Sequence, residues 1–399
     1  MKNKLFCRIY QLCSALLLRI KTIEKQELIT GNGSVIRIAD LLKSRGIARV
    51  ELITTAGTVK RGMLDPLLAR LAADDITAAV FDGVKPDPDI DCIEAAVLLF
   101  QEADCQAILA VGGGSALDCA KIAAARAARP DKRILQMKGL LKIHKKLPLL
   151  IAVPTTAGTG SEITAAAVVT DRSRNYKFTI MDFCIVPAAA VLDPALTAGL
   201  PAGITAETGM DAFTHAIEAY TNRFSSDKIN DYAIRAMQLI DGSLREAVAD
   251  GSNLKARESL LRGSYYAGIA FTNGYVGYVH ALAHAVGGLY HIAHGRACAV
   301  ILPAVLEAYG DAVSPSMAKA AEALGLGAAE DSDRQKRDAL IAHIRALNRD
   351  IGIPETIEGL QEQDLPEIVR RADAEANPGY PVPVIFNREQ LTEILRRLL

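Results

Sequence analysis

The chain changes character near residue 200, and this change constrains its fold more than any other feature. From about residue 29 to residue 200, short apolar runs alternate with stretches of helical spacing. Such alternation favours a parallel sheet covered by helices on both faces. From about residue 205 to the end, nearly every stretch has helical spacing and strand signals are absent. We therefore expect an α/β half followed by an all-helical half.

The predicted elements and domain boundaries follow from this pattern. The predicted strands are Val50–Thr54, Ala78–Phe81, Ala107–Val111, Leu149–Val153 and Ala189–Leu192. The helices predicted around them are Val35–Ser44, Met63–Ala73, Ile90–Ala103 and Ser115–Ala125. Two prolines, in Asp193-Pro194 and Leu200-Pro201, mark the boundary between the two halves. We divide the chain into a leader over 1–27, a Rossmann-like α/β domain over 28–200 and a helical domain over 201–399.

Composition narrows the classes of protein to which the chain can belong. Half of the 399 residues are hydrophobic and the net charge is −1, which gives no reason to expect a nucleic-acid partner. The seven cysteines are scattered and form no CxxC pair, a pattern that favours a reducing compartment, so we expect a cytoplasmic protein. No run of 18 apolar residues occurs, so no membrane-spanning helix is predicted.

The N-terminal leader is predicted to be an amphipathic helix. Apolar residues recur at a spacing of three to four, at Leu5, Ile9, Leu12, Leu16 and Ile20. Arginines interrupt the apolar run and no clean cleavage site follows, which argues against a signal peptide. We expect the apolar face to pack on the protein body or on a partner subunit, with attachment to a membrane surface as the alternative.

A glycine-rich turn follows the strand predicted over Ala107–Val111. Gly112, Gly113 and Gly114 allow close approach to the backbone, and Ser115 is expected to cap the helix that follows. The N-terminus of such a helix attracts phosphate. The run matches neither GxGxxG nor a Walker loop, and a tight strand-to-helix connection alone could require the glycines.

A second polar loop follows the strand Leu149–Val153. The loop, PTTAGTGSE over residues 154–162, is rich in hydroxyl groups and glycine. In open α/β sheets ligands bind at the carboxyl ends of strands. Two such loops after two strands of one sheet favour a dinucleotide or phosphate ligand over two ordinary turns.

Histidines are concentrated in the helical half. Four of the seven lie at positions 280–294, and His215 follows Asp211 by four residues. Asp211 and His215 share one face of a helix, as do His280 and His284. Imidazole and carboxylate are good ligands for a divalent transition metal, so the pattern predicts a metal site. His291 is interpreted as a loop residue, or as a residue that contacts a metal ligand without binding the metal itself.

The arrangement of motifs resembles the iron-dependent (group III) alcohol dehydrogenases over roughly residues 28–399. The matching stretches are GNGS (31–34), GGGSALDCAK (112–121), PTTAGTGSE (154–162), the YK of Asn175-Tyr176-Lys177, LDP (192–194), GMDAFTHAIEAY (209–220), HALAHAVGGLYHIAHG (280–295) and LNRDIGIP (347–354). The resemblance implies a dinucleotide domain and a helical metal domain, an architecture shared with dehydroquinate synthase. It also implies a homodimer or a larger homo-oligomer.

The resemblance assigns roles residue by residue. It implies that Fe²⁺, or Zn²⁺ in some members, is held by Asp211, His215, His280 and His294. His284 matches the histidine beside the substrate that helps to move the alcohol proton. The positions that match cofactor contacts are Gly112, Gly113, Gly114, Ser115, Asp118, Thr155, Thr156 and Lys177. The implied reaction is hydride transfer between a small alcohol or diol and NAD or NADP.

Three positions depart from the family pattern: Thr55 and Asp87 bear on the cofactor, and Tyr275 stands just before the metal helix where glycine is common. Thr55 stands where many members have an aspartate at the end of the first strand, a carboxylate that would repel the 2′-phosphate of NADP. Thr55 is therefore assigned to the cofactor site and makes NADP acceptable as well as NAD. Asp87 stands where asparagine is common, near the expected phosphates. Its charge is unfavourable there unless another group pairs with it.

Two other classes of function compete with a dehydrogenase. A lyase of the dehydroquinate-synthase type would use NAD transiently and would need lysines and arginines around the metal to hold a substrate phosphate. The stretch 205–295 has few basic residues near its histidines, and Arg296 is the nearest. A non-enzymatic metal-binding protein would have no use for the two cofactor-type loops. The sequence therefore favours a metal-dependent alcohol dehydrogenase or aldehyde reductase acting on a small molecule.

Overall fold

The computed structural model describes residues 4–18, 26–174 and 176–399, with side chains from Lys4 to Cys13 in the first of these ranges. Its strands are β1 (Glu27–Thr30), β2 (Arg49–Ile53), β3 (Thr77–Phe81), β4 (Ala107–Gly112), β5 (Gly139–Leu140), β6 (Leu149–Pro154), β7 (Ala166–Asp171), β8 (Tyr176–Met181) and β9 (Ala189–Leu192). Its helices up to residue 199 are α1 (Lys4–Leu18), α2 (Ile38–Ser44), α3 (Ala56–Lys60), α4 (Asp65–Ala73), α5 (Ile90–Glu102), α6 (Gly114–Ala128) and α7 (Ile134–Met137).

The later helices are α8 (Ala202–Thr221), α9 (Asp227–Ala249), α10 (Leu254–Gly274), α11 (Tyr278–Tyr290), α12 (His294–Tyr309), α13 (Ser314–Ala323), α14 (Asp333–Asp350), α15 (Leu365–Ala376) and α16 (Arg388–Arg396). The described residues from 200 onward contain no strand. The prediction of an α/β half followed by a helical half is confirmed. The chain forms two compact units, one with residues 22–199 and one that joins residues 200–399 to the N-terminal residues.

The main sheet has six parallel strands in the order β1-β9-β6-β4-β2-β3. Successive residues of β4 enter different cores, Ile108 and Ala110 on one face and Leu109 and Val111 on the other. Both faces are thus covered by helices, which explains why the strands read as continuous apolar runs. All five predicted strands are present.

The strand order determines where a ligand can bind. The chain passes from β2 outward to β3, then returns to β4 and proceeds outward in the other direction through β6 and β9. The direction reverses between β2 and β4, so this is the topological switch point of the sheet. Ligands of open α/β sheets bind outside the carboxyl ends of the strands at such a point.

A second, three-stranded sheet in the order β5-β8-β7 was not predicted from the sequence. Its antiparallel pair β7–β8 aligns Thr170 with Lys177 and Ala166 with Met181. Alternate residues of β7 and β8 are buried, as expected of a sheet with one covered face. The period-two pattern is therefore visible in the sequence once the turn between the strands is recognised.

The prediction that Ser115 caps a helix is wrong. Helix α6 begins at Gly114, its N-cap is Gly113, and no side chain makes the capping hydrogen bond. Ser115 lies inside the first turn, and its hydroxyl accepts a hydrogen bond from the backbone N–H of Asp87 (3.3 Å). Glycine has no side chain that could accept a hydrogen bond from the first turn of α6. The N–H groups of that turn therefore remain available to a ligand.

Helix α1 packs on the helical unit through a face other than the predicted apolar one, so packing of the apolar face on a partner subunit stays a prediction. Cys7 and Gln11 are buried, whereas Leu5, Ile9 and Leu12 are 66%, 53% and 67% exposed. The helix is attached by polar groups, since Arg8 donates to the carbonyls of residues 382 and 383 and Gln11 to that of residue 380. Residues 1–3 and 19–25 of the predicted leader lie outside the described residues, as does the side chain at position 16.

One stretch of the helical unit, His294–Ala323, is long and apolar enough by length and composition to cross a membrane. Within the protein, 72% of the apolar window is buried. Burial of this extent is expected of a core helix in a folded domain, because the same apolar side chains then pack against neighbouring helices.

Candidate functional site

Three helices of the helical unit contribute the predicted metal ligands. Helix α8 carries Asp211 and His215 one turn apart, α11 carries His280, and α12 begins at His294. Asp211, His215 and His280 are all buried. Charged and polar side chains are rarely buried unless they are paired with other groups. The i, i+4 spacing read from the sequence thus places the first two donors on one buried helix face.

The donor atoms of three of these residues converge. The Oδ1 atom of Asp211 lies 3.6 Å from Nε2 of His280 and 3.4 Å from Nε2 of His294. Ligand atoms held at about 2.1 Å by one tetrahedral ion would lie about 3.4 Å apart. The observed separations therefore match those of donors that share a single cation.

His215 contacts the same group from the next turn of α8. Its ring stacks on the ring of His280 with centroids 4.4 Å apart, and on Phe271 at 4.1 Å on the other side. His215 also helps to lower the pKa of Asp211. His215 is thus adjacent to the three converging donors, in agreement with the place that the resemblance gives it.

The electrostatics of the donors fit a divalent cation. Neither Oδ1 of Asp211 nor Nε2 of His280 has a hydrogen-bond partner among the described residues, although both are buried. Burial raises the pKa of Asp211, but His215, His294 and His280 together bring it well below its usual value, so the carboxylate is ionised. Buried polar atoms without partners cost free energy, and a shared cation would remove that cost.

The residue Glu218, which the sequence interpretation missed, supports His280 from behind. Its Oε2 atom lies 2.6 Å from Nδ1 of His280 and accepts the N–H of Gly277 at 2.7 Å, while Oε1 accepts the N–H of Val279 at 2.8 Å. A carboxylate can only accept, so Nδ1 carries the proton and Nε2 is left as a donor for metal. Without metal, burial lowers the pKa of His280 but Asp211 and Glu218 raise it to about 9, so a bound cation would displace the second proton, the one on Nε2.

Gly295 explains why a glycine follows His294. A Cβ atom at this position would lie 2.2 Å from the carbonyl oxygen of Glu207 and 3.3 Å from the Cβ of Asp211. Only glycine allows α12 to start this close to α8, and the close approach brings His294 to Asp211. The HG pair in the sequence is therefore a packing requirement of the site.

Cys298 also reaches the cluster and was not predicted. Its Sγ atom lies 3.6 Å from Nε2 of His294, one turn earlier on α12. The donor atoms of Asp211, His280, His294 and Cys298 all lie within 4.8 Å of one another. Burial raises the pKa of Cys298 well above its usual value, as do Asp211 and Glu218, so the group is a neutral thiol beside the donors.

The two remaining histidines of the cluster have different surroundings. His284 lies one turn after His280, and its ring stacks on that of His294 with centroids 4.9 Å apart. Its Nδ1 atom lies 2.7 Å from the carboxylate of Glu375. His291 is the exposed C-cap of α11 in the left-handed conformation, and takes no part in the converging set.

The glycine turn lies at the end of β4, at the switch point of the main sheet. Gly112 has φ +157°, and a Cβ atom there would lie 2.6 Å from the Cβ of Ala116. A Cβ on Gly114 would lie 2.9 Å from the side chain of Thr159 in the second loop. The two loops therefore pack against each other, and the glycines allow that approach.

Two hydrogen bonds tie the ends of the three central strands together. The N–H of Thr155, after β6, donates to the carbonyl of Gly112 at the end of β4 (2.9 Å). The hydroxyl of Thr54, after β2, donates to the carbonyl of Val111 (2.7 Å). Thr155 is buried and Thr156 half-buried beside Gly113. The predicted loop residues thus form one continuous edge.

Asp118 is half-buried and engaged in the structure of that edge. Its Oδ1 accepts the hydroxyl of Ser161 (2.7 Å) and its Oδ2 the N–H of Val168 (2.9 Å). The buried Lys121 on the same helix donates to Ser161 and, by two bonds, to Thr164. Burial lowers the pKa of Lys121 to about 8. Both side chains attach the second loop to α6, a role that the sequence did not indicate for Lys121.

Thr55 and Lys177, the other two predicted cofactor residues, have different partners. Thr55 is the N-cap of α3 and accepts the N–H of Thr58 (3.3 Å). Lys177 on β8 pairs with Asp87, its Nζ 2.7 Å from Oδ1, and the backbone N–H of Asp87 donates to Ser115. The unusual Asp87 is therefore neutralised by Lys177. Position 175, which precedes the YK motif, lies outside the described residues.

Comparison with known proteins gives matches over both halves. Residues 25–194 match the family model described as iron-containing alcohol dehydrogenase, and residues 205–399 match that of the Fe-containing alcohol dehydrogenase family, C-terminal. A 1,3-propanediol dehydrogenase of Citrobacter freundii is 37% identical over 371 residues, 92% of this chain and 95% of the relative.

Two solved structures are similar over nearly the whole chain. The crystal structure of a 1,3-propanediol oxidoreductase has a TM-score of 0.91 at 35% identity and covers 95% of this chain and 100% of its own. A sulfoacetaldehyde reductase of Bifidobacterium kashiwanohense, solved in complex with NAD⁺, has a TM-score of 0.85 at 29% identity, with coverages of 94% and 96%. The sequence resemblance and the fold thus point to the same group of proteins.

Proposed function

The chain belongs to the iron-containing alcohol dehydrogenase family and is a metal-dependent oxidoreductase of alcohols, and we propose here the residues with which it works. The convergence of Asp211, His280 and His294 on one point carries the proposal. With His215 they would hold Fe²⁺ or Zn²⁺, since carboxylate and imidazole suit both ions. Family membership decides against the lyase and the non-enzymatic alternatives.

The chemistry divides between the bound groups and the protein. When bound, the cation supplies Lewis acidity that favours loss of the alcohol proton, and the nicotinamide takes the hydride. His284 is proposed to accept and return that proton, because its ring lies against His294 and is partly exposed. Glu218 holds the Nδ1 proton of His280, so that Nε2 would be the atom available to a bound cation.

We propose that NAD or NADP binds at the edge formed by the ends of β2, β4 and β6. The binding residues are Thr55, Gly112, Gly113, Gly114, Ser115, Asp118, Thr155, Thr156 and Lys177. The first turn of α6 offers unpaired N–H groups to the pyrophosphate, and Lys177 offsets the negative charge of Asp87 beside that turn. Asp118 acts indirectly, by holding the loop that carries Thr155 and Thr156. NAD⁺ in the related sulfoacetaldehyde reductase supports this class of cofactor.

The substrate class is proposed from the named relatives. A 1,3-propanediol dehydrogenase and a 1,3-propanediol oxidoreductase are among the most similar proteins. We therefore propose that the chain oxidises short primary alcohols or diols, or reduces the corresponding aldehydes. We also propose that it acts in the cytoplasm, as its seven free cysteines suggest, and as a homodimer or larger homo-oligomer, which light scattering on the purified protein would measure.

Metal reconstitution tests the proposal directly. The protein is loaded with Fe²⁺ without oxygen, or with Zn²⁺, and assayed on C2–C4 alcohols, diols and aldehydes with each cofactor. We expect turnover that depends on metal and that His280→Ala abolishes together with metal binding. The matched control is His343→Ala, because His343 pairs with Asp241 away from the cluster. Full activity of the His280 variant would refute the metal assignment.

A further inference from the structure

The contact between His284 and Glu375 has a geometry that the sequence did not indicate. The two residues are 91 positions apart, yet Nδ1 of His284 lies 2.7 Å from Oε1 of Glu375. Glu375 lies in the last turn of α15, which packs against α11. The same Oε1 atom accepts the hydroxyl of Tyr380 at 2.8 Å. One carboxylate oxygen therefore joins two side chains.

The segment that carries Tyr380 is itself held in place. The backbone N–H of Tyr380 donates to the carbonyl of Ala376 (2.7 Å), which folds the segment back on the end of α15. Asn377 donates to the hydroxyl of Tyr278 on α11 (3.0 Å). The buried Gln11 of α1 donates to the carbonyl of Tyr380 (2.7 Å). Contacts with two other helices thus set the position from which Tyr380 reaches Glu375.

We propose that Glu375 is the positioning residue of His284. A carboxylate only accepts, so the proton of the His284 ring resides on Nδ1, and Nε2 is left as the acceptor. The ring is meanwhile stacked on His294 at an interplanar angle of 16°. Glu375 thereby sets both the tautomer and the orientation of the ring, and Tyr380 holds Glu375 in place. The inference rests on the proposed proton-handling role of His284.

The side chains of His284 and Glu375 are too exposed for their contact to contribute much to the stability of the fold. The side chains of His284 and Glu375 are 48% and 33% exposed. Pairs of this kind add little to the free energy of folding, so removing Glu375 should leave the fold intact. The same exposure means that an unrestrained His284 ring would have room to rotate. The effect of removing Glu375 should therefore be seen in the state of His284, not in stability.

A spectroscopic test reads that state without any turnover. The protein is labelled with ¹⁵N-histidine and loaded with Zn²⁺, and the signals of His284 are identified with His284→Asn. We expect a proton on Nδ1 and none on Nε2 in the unmodified protein, and a mixture of tautomers in Glu375→Ala. Tyr380→Phe should shift the same signals in the same direction by less. Unchanged His284 signals in Glu375→Ala would overturn the proposal.

Kinetics of the same variants provide the second test. We expect Glu375→Ala to lower kcat by about tenfold to a hundredfold with little change in KM, in cofactor affinity or in metal content. The control Glu389→Ala removes an exposed carboxylate of α16 and should behave as the unmodified protein. An unchanged kcat in Glu375→Ala would refute positioning. If the unmodified protein oxidises no alcohol, the proposed function fails, and the spectroscopic comparison still decides whether Glu375 positions His284.

Discussion

Replacing Glu218 by glutamine tests whether the group behind His280 determines metal affinity. Glu218 is buried at 2% exposure, and Oε2 lies 2.6 Å from Nδ1 of His280. Glutamine has the same shape but carries no charge and has a single acceptor oxygen. Loss of a partner carboxylate on a ligating histidine typically weakens metal binding about 10-fold to 100-fold, or about 1.4–2.7 kcal/mol. The short, buried contact places this case toward the upper end.

The same substitution also affects folding, and the two effects can be separated. The carboxylate accepts the N–H groups of Gly277 and Val279 on different oxygens, and glutamine must present its NH₂ group to one of them. We expect the metal-free variant to lose about 1–3 kcal/mol of stability. The assay is Zn²⁺ competition with a chromophoric chelator, with thermal unfolding of the metal-free protein measured in parallel.

The control for Glu218→Gln is Glu258→Gln. Glu258 pairs with Arg262 on the surface of α10, so this variant loses a carboxylate of comparable size at a distance from the histidines. Its zinc affinity should equal that of the unmodified protein. If Glu218→Gln binds zinc within twofold of the unmodified protein, the carboxylate does not tune His280 and our reading of the hydrogen bond is wrong.

Three further predictions concern stability, cofactor choice and packing. Burial raises the pKa of Glu51 to about 8 from 4.5, so its contribution to stability is fully present below about pH 4.5 and is lost as the pH rises to about 8. That loss is about 5 kcal/mol, and urea unfolding of Glu51→Gln should show a much weaker decline from pH 5 to pH 8, whereas an equal decline would contradict the assignment. Thr55→Asp keeps the cap of α3 but adds charge beside the expected ribose, so kcat/KM with NADP should fall at least about tenfold relative to NAD, and an unchanged ratio would place the 2′-phosphate elsewhere. Gly295→Ala sets a methyl group 2.2 Å from the backbone of Glu207, so metal content should fall together with Tm, and normal values of both would show that α12 can shift without loss.

The sheet and the positions of the loops could be predicted because they depend on local sequence. The predicted strands are mostly apolar runs, and strands of one parallel sheet end at the same edge, which is where Gly112 and Thr155 lie. The hairpin of β7 and β8 was missed although its alternation is visible, because the strands were predicted from continuous apolar runs.

Partners that lie far apart in sequence could not be predicted. Glu218 and Glu375 meet their histidines across 62 and 91 residues, and no spacing in the sequence records those contacts. Cys298 does lie one helical turn from His294, so its approach to the cluster could have been found by the i, i+4 rule. The polar face by which α1 contacts its own chain was not predicted, because apolar spacing identifies a face but not what covers it.

The attachment of α1 has a practical consequence for protein engineering. The family models begin at residue 25, which makes that position an obvious place to start a shortened version of the enzyme. Such a chain would lack Arg8 and Gln11, and the carbonyls of Tyr380, Val382 and Pro383 would lose the donors they have here. The segment they belong to is the one that reaches Glu375. A version trimmed to the family boundary would thus be altered beside His284, at the opposite end of the sequence from the cut.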